Sequence, residues 1–251
     1  MFDVRCSTFN VQSSRLQVRA DSSFISVYLR SSAVFTLLLF FAVQLAATAA
    51  PSPAVKSWLD AQTNLQTWSA DLTQTRTLLS LTEPLTATGH VWFAAPDRFR
   101  WELGRPPQTI AICTGTNLVL VYPRLKRAES IPLTGLQAGP WRSALDMLEA
   151  GFPRSERELE EHYTILSQTV TNQVCVLQLQ PRTAAARQMV SRLEIDINTA
   201  NDSLKGTELE FGDGSTLRND FYNVVLNPPL DKTTLSTEVP GDYTRVQPMG
   251  Q

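Results

Sequence analysis

Histidine and cysteine are scarce in this sequence, with two of the former and three of the latter. His90 and His162 stand far apart along the chain, and neither has the spacing of a metal or nucleophile site. There is no Gly-x-Ser-x-Gly elbow, no His-Glu-x-x-His pair and no glycine-rich phosphate loop. These absences leave the residues without a reading as an enzyme, and no catalytic residue, metal or cofactor is expected. Lysine is also rare, at four residues, and the net charge is slightly negative. Sequence-independent nucleic-acid binding needs clustered positive charge and is set aside. No heptad run, internal repeat or low-complexity segment is present.

Nor is there an apolar run of the roughly 20 residues that a membrane-spanning helix requires. The longest, Ala33 to Ala46, is interrupted by Thr36 and Gln44. It follows Arg5, Arg15, Arg19 and Arg30 and precedes the small residues Ala47-Thr48-Ala49. That order reads as a cleaved export signal over residues 1–49, whose long basic lead-in also allows a translation start nearer Arg30. The cut would expose Ala50-Pro51-Ser52 with no cysteine to carry a lipid anchor. The remaining 202 residues carry 18 basic and 22 acidic side chains, enough chain for one domain, 50–251, with a sizeable core. The expectation is an exported, soluble, unanchored protein. Cys113 and Cys175 remain, each in an apolar strand-like run where a free thiol behaves as a small hydrophobe. An oxidising compartment would also permit them to pair.

Apolar residues at Val55, Trp58, Leu59, Leu65 and Trp68 fit one face of a helix. Strands are then expected at Ala70–Leu79, Thr86–Ala94, Arg98–Leu103, Thr109–Cys113, Asn117–Tyr122 and Arg127–Leu133. Arg98, Arg100 and Glu102 alternate with Phe99, Trp101 and Leu103, so one side of that strand is wet and the other buried. Gly139-Pro140 opens a helix over Trp141, Ala144, Leu145 and Leu148, and Ser155 with Glu158 has the spacing of a second helix start. Further strands follow at Tyr163–Val170, Val174–Gln180, Arg192–Ile197, Gly206–Phe211 and Thr216–Leu226, with a short last strand in the proline-rich tail. About ten or eleven strands with few helices make a mainly β, α+β protein. Its antiparallel sheet must curl, with the helices covering one face.

Two clusters invite chemistry and are better read otherwise. Glu158, Glu160 and Glu161 beside Arg154 and Arg157 describe a solvated helix face, and Gly212-Asp213-Gly214 is ordinary turn chemistry between alternating strands. What the chain has in quantity is apolar and aromatic strand surface, more than enough for a core and a hydrophobic cavity.

The run Leu72-Thr73-Gln74-Thr75-Arg76, followed by Leu85, Gly89, Trp92, Pro96, Phe99, Arg100, Trp101, Glu102, Pro106, Gly115, Leu118, Tyr122 and Pro123, resembles the LolA-type periplasmic carriers of outer-membrane lipoproteins. The resemblance continues more loosely through Trp141–Leu148 and Asn227–Tyr243. It implies an incomplete antiparallel β-barrel covered by helices, with lipoprotein acyl chains held between barrel and lid. It also implies a periplasmic monomer, an inner-membrane release complex and an outer-membrane acceptor. Trp92, Phe99, Trp101 and Tyr122 are the matched positions expected to line the cavity, with Ile112, Leu118, Leu120, Leu145 and Leu148 beside them. Ala95 stands where family members often carry the arginine linked to lid closure and handover, and Thr114-Gly115 replaces the usual Asp-Gly. A sensor of mislocalised lipoproteins on the same fold is the main rival, and a lipid or envelope hydrolase a distant one.

Overall fold

The computed structural model describes residues 50–134, 153, 155–231 and 233–246. Twelve strands form a single sheet, paired in the order β12-β6-β5-β4-β3-β2-β1-β11-β10-β9-β8-β7. Helix α1 (Pro53–Thr63) precedes β1 (Thr67–Thr77), β2 (Leu85–Ala94), β3 (Arg98–Leu103), β4 (Thr109–Thr114), β5 (Asn117–Tyr122) and β6 (Arg127–Pro132). Helix α2 (Glu156–His162) leads into β7 (Tyr163–Thr171) and β8 (Val174–Pro181). Helix α3 (Ala184–Met189) then leads into β9 (Val190–Asn198), β10 (Ser203–Phe211), β11 (Thr216–Leu226) and β12 (Thr244–Val246). Every pairing is antiparallel except β12 on β6. Because β12 and β7 are edges that do not pair with each other, the sheet is an incomplete barrel.

The alternation read from β3 sets the faces. Paired residues of neighbouring strands project to the same side, so one inner face collects Trp68, Phe93, Phe99, Cys113, Leu118 and Ile131 across β1 to β6. The same core continues through Cys175, Leu177, Leu179, Leu193, Ile195 and Ile197 and takes in Val55, Trp58 and Leu59 of α1. A second, smaller cluster lies on the outer face, where Val119, Val121 and Ala128 meet Val239 and Tyr243 of the C-terminal segment. Cys113 and Cys175 are both buried.

Local chemistry explains most boundaries. Ser52 caps α1 through its Oγ, which accepts the Val55 N–H, and Pro53 takes the first helical turn. The helix stops at Thr63, earlier than its apolar spacing suggests. Leu65 lies beyond it and Trp68 belongs to β1, yet both side chains are buried in the same core. Burial alone produced the helical spacing. Ser155 caps α2 by accepting the Glu158 N–H at 3.1 Å. Helix α3, unanticipated, is capped by Thr183, and the helix expected at Trp141–Leu148 falls outside the described residues. Gly89 in β2 is required by close approach, since a Cβ there would lie 2.0 Å from the Glu102 carbonyl oxygen on β3. Opposite Ala70, β11 bulges: Ser69 pairs with Val225 and Asp71 with Tyr222, and Asn223 adopts a left-handed φ of 52°.

Candidate functional site

Strands β1 to β5 build an apolar floor in rows. Trp68, Phe93, Phe99, Cys113 and Leu118 form one row, and Ala70, Val91, Trp101, Ala111 and Leu120 the next. A third holds Phe221, Leu72, Gly89 and Leu103, where the glycine lets the β3 backbone and the Leu103 side chain close in. Phe221 joins the rows, meeting Trp68 edge-on at 5.1 Å and Trp101 at 6.0 Å. Phe99 and Leu118 are buried, whereas Trp101, Leu103, Ala111, Leu120 and Tyr122 are only partly so. The Trp101 indole N–H is buried without a hydrogen-bond partner. Burial, reinforced by the nearby Glu129 carboxylate, pushes the Tyr122 phenol up from its ordinary pKa, so it stays neutral at neutral pH.

The floor ends in polar groups. Beyond Leu72, Gln74 Nε2 donates to Asn219 Oδ1 at 2.9 Å and Asn219 Nδ2 donates to Thr207 Oγ1 at 3.2 Å. This ladder crosses β1, β11 and β10, and it gives the glutamine of the first strand a structural task.

Of the residues expected to line the site, the register brings together Phe99, Trp101, Leu118, Leu120 and Tyr122. It puts Trp92 and Ile112 on the opposite face, in the row Ser69, Trp92, Arg100, Ile112, Val119. Trp92 there meets the His90 ring at a tilt, with centroids 4.1 Å apart. Leu145 and Leu148 lie outside the described residues. Trp68, Leu103, Ala111 and Phe221, absent from the expected set, share the inner face. For Phe221 the signal was the alternation Leu217, Asn219, Phe221; for Trp68 it was hidden by the helical spacing.

His90 is engaged on the outer face, where its Nδ1 lies 2.9 Å from Asp71 Oδ1. Arg105 Nη2 donates to the same oxygen at 2.8 Å and Asn223 Nδ2 to Asp71 Oδ2 at 2.9 Å. The Asn223 and His90 hydrogen bonds, helped by the charge of Arg105, hold the Asp71 carboxyl below its ordinary value. A cavity of about 160 Å³ adjoins His90, Glu102 and Gly104–Pro107. Another of about 190 Å³ lies between β5, β6 and the C-terminal segment. Of the apolar side chains in the three rows, none lines either one; only Gly89 of the floor borders the first. Among the described residues, no group of three His, Cys, Asp or Glu is placed to hold a metal ion.

The family profile described as "Outer membrane lipoprotein carrier protein LolA" matches residues 63–237. The chain is also similar to the outer-membrane lipoprotein carrier protein of Chromohalobacter salexigens, with 24% identity over 155 residues, covering 61% of this chain and 68% of that protein. Among solved structures it is similar to an uncharacterized conserved protein from Thermus thermophilus, with TM-score 0.46, 10% identity and coverage of 75% of this chain and 94% of that one. It is similar as well to a LolA superfamily protein from Nitrosomonas europaea, with TM-score 0.38, 10% identity and coverage of 72% and 97%. With the profile spanning more than half of the sequence, the chain belongs to the LolA family of outer-membrane lipoprotein carrier proteins.

Proposed function

We propose that this protein is a soluble periplasmic carrier, released by cleavage of residues 1–49, that shields the acyl chains of lipoproteins on their way from inner to outer membrane. The observation that supports this reading is the apolar floor of β1 to β5, where Trp101, Leu103, Ala111, Leu120 and Tyr122 pack at the border of the core and stay partly exposed. Burying an acyl chain stabilises a complex by roughly 0.8 kcal/mol per CH₂. A chain of about fifteen carbons therefore offers on the order of 12 kcal/mol before ordering costs, with no catalytic group involved. Release requires a second state that binds the chain less well, supplied here by an inner-membrane release complex at loading and an outer-membrane acceptor at delivery.

The test is transfer. The exported protein, incubated with washed inner membranes and then acceptor membranes, delivers a lipoprotein, and acyl chains co-purify with it in a mass spectrum. Cargo bound and never delivered indicates a sensor instead, and an absence of any bound lipid or lipopeptide overturns the reading.

A further inference from the structure

From the end of the sheet that carries the β1–β2 connection, a leucine-rich tip projects into solvent. Arg76 pairs with Leu85 at the base of this hairpin, whereas β3 ends opposite Gly89. The stretch Leu85 to Thr88 and the loop beyond it therefore run past the neighbouring β3–β4 connection. In this overhang Leu79 is 78% exposed, Leu85 54% and Leu81 44%. The antiparallel order puts the β5–β6 connection on the same rim, where Leu125 is 70% exposed. Alongside stand the exposed cations Arg76 and Arg124, while Arg105 and Lys126 are paired with Asp71 and Asp242 at 2.8 Å each.

Large apolar side chains on solvent-facing loop tips are uncompensated unless something covers them. Leu79, Leu81 and Leu85 cluster on one connection, with Leu125 on another of the same rim, an arrangement that fits a deformable apolar medium better than a shaped protein pocket. The flanking Arg76 and Arg124 suit phosphate groups at its surface. We infer that this rim is a membrane-docking surface, with Leu79, Leu81, Leu85 and Leu125 entering the headgroup boundary of a bilayer and Arg76 and Arg124 meeting lipid phosphates. A carrier without such docking, or a docking rim without cargo, are separate outcomes.

The buried state of Cys113 and Cys175 makes the test selective. In the exported protein, which has lost Cys6 with residues 1–49, Leu79→Cys is labelled with an environment-sensitive fluorophore and mixed with phosphatidylethanolamine/phosphatidylglycerol vesicles. Leu166→Cys, on the exposed edge strand β7, is the control. The Leu79 probe shifts to the blue and is shielded from an aqueous quencher several-fold, and the Leu166 probe is unchanged. A Leu79 probe indifferent to vesicles, equal shifts at both sites, or a shift that grows with protein concentration before vesicles are added would overturn the proposal. The last result would mean self-association. Uptake of a fluorescent fatty acid by the same samples reports on the carrier reading independently.

Discussion

The two halves of the sheet bury their inner faces to different degrees. In β8 and β9, Cys175, Leu177, Leu179, Leu193, Ile195 and Ile197 are each 1% exposed or less, and α1 packs on β8 with Val55, Trp58 and Leu59 turned inward. In β3 to β5, the corresponding positions include Trp101, Leu103, Ala111, Leu120 and Tyr122, all partly exposed. The outer faces differ as well. Behind the sealed half, Arg218 is ringed by Asp196 at 2.5 Å, Asp220 at 2.9 Å, Glu208 at 3.6 Å and Glu194 at 3.7 Å. Behind the open half lies the apolar cover of Val239 and Tyr243. One half is aliphatic and closed, as a folding core must be. The other is aromatic and keeps an apolar face that the described chain does not fill.

The largest way to break this comparison is by cavity formation in the sealed half. Leu177→Ala should cost about 3–4 kcal/mol, because its surroundings cannot collapse. Leu120→Ala, on the open half, should cost about 1 kcal/mol. Urea denaturation measures both, and equal losses would erase the distinction. Next comes Gly89→Ala, whose Cβ would collide with the Glu102 carbonyl and should cost about 2–3 kcal/mol, read as a lowered melting temperature. It tests whether strand spacing, rather than side-chain packing, limits the open half. On the outer face of the sealed half, Arg218→Met leaves Asp196 buried without its cation. With Arg218 partly solvated, the expected loss in urea is about 1–2 kcal/mol.

The smallest effect concerns pH. Asp71 lies behind the open half with its carboxyl held below the ordinary value of 3.8. A depressed folded pKa contributes stability above the unfolded value and loses it as pH falls through the folded one. Wild-type urea midpoints should therefore decline below about pH 4 more steeply than those of Asp71→Asn. Parallel acid limbs would show that the Asn223, His90 and Arg105 contacts contribute nothing.

Much of the fold was legible because one-sided burial writes a period of two into strands. The limits of β3, β5 and β11 follow the sequence pattern directly. Three things were not. Leu65 and Trp68 prolonged the helical spacing of α1 although they are buried from a loop and a strand. Helix α3 is too short to show a face, and only its Thr183 cap and alanines signal it. The short last strand expected in the proline-rich tail is present as β12, but with three residues on an edge its position had no pattern to fix it.

The site was legible strand by strand, but its parity was not. In β2 both faces carry aromatics, Trp92 and Phe93, so composition cannot choose between them. The three-residue turn Ala95-Pro96-Asp97 does, because it pairs Ala94 with Arg98 and so sets Trp92 opposite the wet-face Arg100. In β4, Ile112 follows from the same register, and the smaller Cys113 and Ala111 face inward. Small residues on the inner face leave room there, which a search for bulky apolar residues overlooks.

The central claim is that the open half holds an acyl chain. Uptake of a dansyl-labelled fatty acid by the exported protein tests it, comparing wild type, Leu120→Glu and Trp101→Glu with the outer-face change Trp92→Glu, each checked for an intact cooperative melt. Strong enhancement of fluorescence is expected for wild type and Trp92→Glu, with at least about tenfold weaker binding for the two inner-face variants. Unchanged uptake by Leu120→Glu and Trp101→Glu, or loss confined to Trp92→Glu, would contradict it.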